Sequence, residues 1–326
     1  MLESYIAGDF SGAVSVYHGE QPIFERAYGF SDRPNRIANQ PGTRFATASA
    51  GKAFVAVGIC RLIEEAKLNL QTSIGELLAF PLNQIDPGIT VHQLLNHTSG
   101  IPDYFDESVM EEYADLFRDF PNYRIRRSAD LLPLFIDKPM MYPRGERFQY
   151  NNSGYVVLGL ILERMTGQPF DDYLDAAIFQ PLCMESTGYY ELDRLPARCA
   201  SAYILDKATG EFYTNIYSVD VKGTGAGGAF TTTGDVHRFW QGLRSGSVVS
   251  PQTFAQMTAP QSEGGPYGYG FWLTEDGTPY FQGSDPGVSF ISSHDTARQI
   301  TITLISNLGQ DVWSMHSSIC GAVAGL

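Results

Sequence analysis

The sequence predicts an α/β (α+β) fold: one antiparallel sheet built from both ends of the chain, flanked by helices, with a helical lobe inserted between the two halves. Three observations predict it. At the N-terminus SGAVSVYHG and PIFERAYGF alternate apolar and polar residues around Gly19-Glu20-Gln21 and read as a β-hairpin. From residue 267 onward four more alternating runs follow, YGYGFWLTED, TPYFQG, GVSFISSHD and QITITLISN. Between these ends the apolar residues recur at helical rather than strand spacing. Strands at both termini around a helical middle close into one sheet. The expected division is a single domain over residues 1–326, with an α/β lobe of about 1–70 and 223–326 and a helical lobe of about 71–222.

Residues 1–8 read as the end of a helix, and after the hairpin a loop rich in Pro, Asn and Arg covers 31–44. It leads into FATASAGKAFVAVGICRLIEEAKLNL, where Phe54, Val55, Val57, Ile59, Leu62 and Ile63 mark a long buried helix. TSIGELL and TVHQLLNHTSGI read as short helices, the second with Thr90 as its cap. Residues 103–175 read as helix and loop with acidic patches. Within them Pro143 and Gly145 mark a turn, and Val156, Val157, Leu160 and Ile161 mark a buried helix. Tyr150, Asn151 and Asn152 fall in the loop just before it. Residues 176–222 read as loop with short strands. GTGAGGAFTTTGDVHRFWQGL is a glycine-rich approach to a helix that Thr233 or Asp235 caps, and GQDVWSMHSSICGAVAGL is a C-terminal helix.

Composition narrows the function. With 43% hydrophobic and 18% charged residues, the chain is a soluble globular protein with no disordered bulk. Its apolar runs are too short to span a bilayer. A formal charge of −14 argues against nucleic acid or an anionic membrane surface as partner. Cys60, Cys183, Cys199 and Cys320 form no C-x-x-C, and the six histidines are scattered without an H-E-x-x-H, so neither a metal nor a cofactor is expected. MLESYIAGDF has no basic segment followed by an apolar one, which fits a cytoplasmic protein or a trimmed extracytoplasmic one. Oligomeric state is left open.

Chemistry concentrates at Ser49 and Lys52. Three residues apart at the start of a helix, they share one face, so an ammonium sits beside a hydroxyl at the positive end of the helix dipole. Of the five lysines only Lys52 has a serine three residues before it. Alone, this S-x-x-K pair also fits a serine helix cap followed by a surface lysine. The other motifs shift the balance, because TRFATASAGKAF, ITVHQLLNHTSGIPDY, FQYNNSGYVVLGLILERMTG, GAGGAFTTTGDVHRF and YGYGFWL follow one another in order.

Together these stretches resemble the serine β-lactamase and penicillin-binding-protein superfamily over almost the whole chain. The resemblance is to the branch of class C β-lactamases, D-alanyl-D-alanine carboxypeptidases, D-aminopeptidases and family VIII esterases. It implies a serine hydrolase that forms an acyl-enzyme at Ser49 on a small ester, amide or peptide. Lys52 would stabilise the alkoxide or take its proton. Tyr150, first residue of the Y-x-N motif, would be general base with a phenol acidified by cationic neighbours, and then protonate the leaving group. Asn152 would bind Lys52 and the acyl amide. His97 and Gly100 belong to the signature as structural residues.

The third motif, normally K-T-G or H-x-G, departs from the pattern. Aligning Pro286-Gly287 places Phe281-Gln282-Gly283 on it. Gly283 suits a strand that approaches substrate closely, and Ser284 would donate its backbone N–H to the oxyanion hole with that of Ser49. Phe281 would replace the usual cation with an apolar wall. The expectation is therefore an ester or uncharged amide rather than a β-lactam or stem peptide, both of which carry a carboxylate. The alternatives are a penicillin-binding D-peptidase or β-lactamase and, in another class, an inactive homologue that binds peptides or cell-wall fragments. The motif stretches hold no G-x-S-x-G elbow.

Overall fold

The computed structural model describes residues 2–325. The N-terminal hairpin forms from β1 (Gly12–His18) and β2 (Gln21–Tyr28). Two short pairings follow, β3 (Phe30–Asp32) with β4 (Ile37–Ala38), and β5 (Phe45–Ala46) with β8 (Phe230–Thr231), while β6 (Tyr203–Leu205) pairs with β7 (Phe212–Thr214). The C-terminal strands are β9 (Trp272–Leu273), β10 (Pro279–Asp285), β11 (Val288–Asp295) and β12 (Ile300–Ser306). Six strands make the main antiparallel sheet in the order β2-β1-β12-β11-β10-β9, so both ends of the chain do meet in one sheet.

The helices are α1 (Lys52–Glu64), α2 (Ile74–Leu77), α3 (Val91–Leu95), α4 (Asn152–Thr166), α5 (Phe170–Leu174), α6 (Thr233–Ser245), α7 (Pro251–Met257) and α8 (Val312–Val323). They cover the sheet on both faces. On one, Val14, Val16, Ile302 and Leu304 pack under Val312, Met315 and Ile319 of α8. On the other, Ala13, Phe290 and Ile305 join the larger core around α1, α4 and α6. Cover on both faces leaves almost every residue of β1, β11 and β12 buried, polar ones included. A few polar residues among them pair internally, as where Trp240 Nε1 donates to Ser292 Oγ at 2.9 Å. No helix among the described residues is long and apolar enough to cross a membrane.

Two local expectations change. Thr232, not Thr233 or Asp235, caps α6, its hydroxyl accepting from Asp235 N at 3.1 Å. The run YGYGFWLTED yields only the two-residue β9, because Gly268 and Gly270 press against Met257 O and the backbone of α1, where strand pairing has no room. Thr90 caps α3 in a capping box with Gln93.

Candidate active site

Ser49 is positioned by strain and close approach. The chain leaves β5, and Ala48 turns it with φ 48°, a left-handed conformation that costs a residue with a Cβ about 1–2 kcal/mol. The Ala48 carbonyl accepts from Gly228 N at 2.9 Å, and a Cβ on the neighbouring Gly227 would meet that oxygen at 2.5 Å. One 3-10 turn, Ala48–Gly51, then runs straight into α1. Ser49 thus sits where the amides at a helix start still lack partners.

Lys52 is 2% exposed, and its ammonium has three short contacts. Nζ donates to Ser49 Oγ at 3.0 Å, Asn152 Oδ1 at 2.8 Å and Ala226 O at 2.5 Å. Three N–H groups therefore meet three acceptors. Burial lowers the ammonium's pKa to about 8, against the opposing pull of Glu107, Asp103, Asp285 and Asp220. Losing one proton would leave a lone pair within reach of the serine hydroxyl.

Tyr150 is half-buried, its hydroxyl a hydrogen-bonding neighbour of Ser49. Its ring stacks on Trp272 with centroids 5.6 Å apart, and Lys52 Nζ stands 4.9 Å from the ring centroid. The expected acidification is reversed. Burial raises the phenol well above 10, Tyr267 and Glu107 add to the rise, and the Ser49 hydrogen bond only partly offsets it. The cation faces the ring rather than flanking the hydroxyl with a second positive charge. Burial thus favours the protonated phenol and, at Lys52, the neutral amine.

Asn152 is the first residue of α4 rather than part of the preceding loop, and Asn151 is the cap, accepting from Gly154 N at 2.8 Å. With its Oδ1 on Lys52, Asn152 turns Nδ2 to Phe105 O at 3.1 Å. Asp103, which the motifs did not single out, fixes this end of the helix. Its carboxylate accepts from Asn152 N at 2.8 Å and Ser153 N at 3.0 Å, and burial pushes it up to about 6. The signal was its place just after the HTSG signature, but the partners lie some fifty residues away and no local pattern joins them. His97 Nδ1 accepts from Asn151 N at 3.1 Å, so the signature histidine braces the tyrosine loop.

On the opposite wall β10 runs over the Ser49 turn. A Cβ on Gly283 would stand 2.7 Å from both Ser49 N and Ala50 N and would collide with Thr47 O, so only glycine permits this approach. β10 and β11 join through Pro286-Gly287, with Gly287 at φ 77° and Asp285 opposite Val288. In a two-residue hairpin that closing pair is hydrogen-bonded, so the next pair, Ser284 with Ser289, is not. The Ser284 N–H therefore points away from β11.

Phe281 does not line the cleft. It is 1% exposed and packs among Phe54, Phe239, Trp240, Phe271 and Phe290. An aromatic ring gains more from this apolar core than from the water-facing position that suits a lysine or histidine. The expected apolar wall is thus a core residue.

Ser49, Asn152 and Ser284 open onto one cleft of about 730 Å³. Five carboxylates line it, those of Glu107, Glu111, Glu112, Asp220 and Asp285, and among the described residues no Lys, Arg or His does. These acidic residues come from three separate stretches, which the sequence motifs did not bring together.

Fold and cleft together define a serine hydrolase. The chain belongs to the Beta-lactamase family, whose model matches residues 4–317. It is 28% identical over 301 residues to PbpX of Bacillus subtilis (strain 168), covering 92% of this chain and 71% of that one. A penicillin binding protein from Bacillus halodurans superposes with a TM-score of 0.93 at 35% identity, over 99% of this chain and 100% of the other. The D-amino acid amidase of Ochrobactrum anthropi shares the fold at 21% identity with a TM-score of 0.76, over 97% and 93%.

Proposed function

We propose that the protein hydrolyses a small ester or amide lacking a carboxylate, through an acyl-enzyme at Ser49. Neutral Lys52 takes the proton of Ser49 Oγ as the oxygen attacks the carbonyl carbon. The Ser49 and Ser284 amides hold the resulting oxyanion. As the tetrahedral species collapses, the bond to the leaving group breaks, and Tyr150 passes it a proton that is replaced from Lys52. Water then attacks the acyl ester by the reverse route, releasing acid and restoring the Ser49 hydroxyl. The observation that carries this reading is the buried ammonium bonded at once to Ser49 and Asn152. A surface lysine after a helix cap has no reason to be so enclosed.

Against a β-lactam or D-Ala-D-Ala substrate stands the cleft's charge. A carboxylate entering there meets five others and no lining cation, whereas a charge-assisted hydrogen bond to a cation would be worth about 1.5–3 kcal/mol. The second reading, a penicillin-binding D-peptidase, draws support from relatives bearing that name. Hydrolysis of p-nitrophenyl acetate and butyrate beside benzylpenicillin tests the choice. The expected result is ester turnover that disappears in Ser49→Ala and exceeds penicillin turnover. Faster hydrolysis of penicillin than of any ester would transfer the assignment to the second reading.

A further inference from the structure

The mechanism above makes no use of the cleft's negative charge. Lys52 is the cation that acts on Asp220 and Asp285, and its three N–H groups are already committed to Ser49, Asn152 and Ala226. Asp285 follows Ser284 directly and lies on the same strand face as Gly283, so its side chain is one residue from the expected oxyanion position. Asp285 is half-buried on the cleft wall, and among the described residues its carboxylate makes no hydrogen bond or ion pair. Asp220 is held differently. Its Oδ1 accepts from the Tyr113 hydroxyl at 3.1 Å, and Tyr113 is itself 3.3 Å from the Tyr104 hydroxyl. That brace aims a second carboxylate into the same space.

We infer that the substrate carries an ammonium group, and that Asp220 and Asp285 hold it beside the reacting carbonyl. The inference rests on the acyl-enzyme reading and adds to it the charge of the substrate. The two carboxylates are close enough that the charge on Asp220 adds to the rise at Asp285. Burial is the larger cause and takes each to about 7, Lys52 and, for Asp220, the Tyr113 hydrogen bond pulling back. Glu107 faces Asp285 as a further like charge. A pair of partly desolvated acids without a counter-ion repel one another, and a bound cation offsets that repulsion. Tyr213 and Phe230 add aromatic surface to the cleft wall, of the kind that favours a cation. A neutral substrate would leave the pair as it is, and an anionic one would add to the repulsion.

Two isosteric pairs test this at pH 7, one for each side of the scissile bond. Alanyl p-nitroanilide, of either hand, is compared with isobutyryl p-nitroanilide. Acetylcholine is compared with 3,3-dimethylbutyl acetate. At least one cationic member is expected to exceed its neutral isostere in kcat/KM by about ten- to a hundredfold, the size of a charge-assisted interaction. Asp285→Asn and Asp220→Asn should each reduce that ratio towards one. Asp285→Asn breaks no hydrogen bond within the protein, so it stays informative if the Asp220 variant fails to fold. Ratios at or below one in both pairs, while a neutral fluorophosphonate still labels Ser49, would overturn the inference alone. So would a ratio that survives in Asp285→Asn. Absence of labelling at Ser49 would instead overturn the acyl-enzyme reading and this inference with it.

Discussion

Replacing Gly283 with alanine should disable acylation with little change to anything else in the cleft. The added methyl would lie 2.7 Å from Ser49 N and Ala50 N, and nearer still to Thr47 O, whereas ordinary contact begins at about 3.4 Å. The neighbours are backbone atoms at the start of a buried helix and cannot rotate aside. The Thr47 O contact is the closest and sets the retreat of the strand at about 1.1 Å, carrying the Ser284 amide with it. A displacement of about 1 Å between a nucleophile and its oxyanion donor costs on the order of 10²-fold in rate. Overpacking of this kind also costs about 1–3 kcal/mol of stability. Stopped-time labelling with a fluorophosphonate gives the acylation rate, and thermal unfolding gives the stability. Gly42→Ala is the control, since a Cβ there meets nothing within 4 Å. Acylation by Gly283→Ala at the unmodified rate would refute the placement of β10 over the Ser49 turn.

The remaining predictions concern the proton path and the third motif. Because the competent form is neutral Lys52, the acylation rate should rise with pH through about 8, falling about tenfold for each unit below it. Tyr150→Phe should lower the plateau by about 10²–10⁴-fold yet leave that limb in place, since the phenol titrates far above it; a limb that vanishes with Tyr150 would restore the tyrosine as base. Lys52→Ala should be at least as damaging as Tyr150→Phe, measured by the same labelling rate. Phe281→Ala should cost about 3–5 kcal/mol of stability as a core cavity, read by denaturant unfolding. Phe281→His should likewise destabilise, with no gain for carboxylate-bearing substrates, because it buries an imidazole among aromatic rings; a folded variant that turns over penicillin would contradict the placement of Phe281.

Periodicity was enough to find the sheet and the helices that carry the site. Alternation over Gly12–His18 and Ile300–Ser306 marks strands that do pair, and the apolar run behind Ser49 marks the central helix. Motif order joins Ser49, Lys52, Tyr150 and Asn152 in the sequence itself. What stayed hidden depends on three-dimensional neighbours. The side Phe281 faces follows from which aromatic residues surround it, and those come from α1, α6 and β11. The direction of the Tyr150 shift depends on how many cations reach its hydroxyl and how deeply it is buried, neither of which spacing reports. Asp220 and Asp285 are 65 residues apart and share no pattern, although the net charge of −14 hinted at acidic surface somewhere. Glycine was the exception: at Gly283 the motif alignment and the steric need coincide.

The most direct test of the central claim is intact-protein mass spectrometry after fluorophosphonate treatment, followed by peptide mapping. One adduct per chain is expected, on the peptide containing Ser49, absent from Ser49→Ala and strongly slowed in Lys52→Ala. An adduct on any other serine, or undiminished esterase activity in Ser49→Ala, would contradict it.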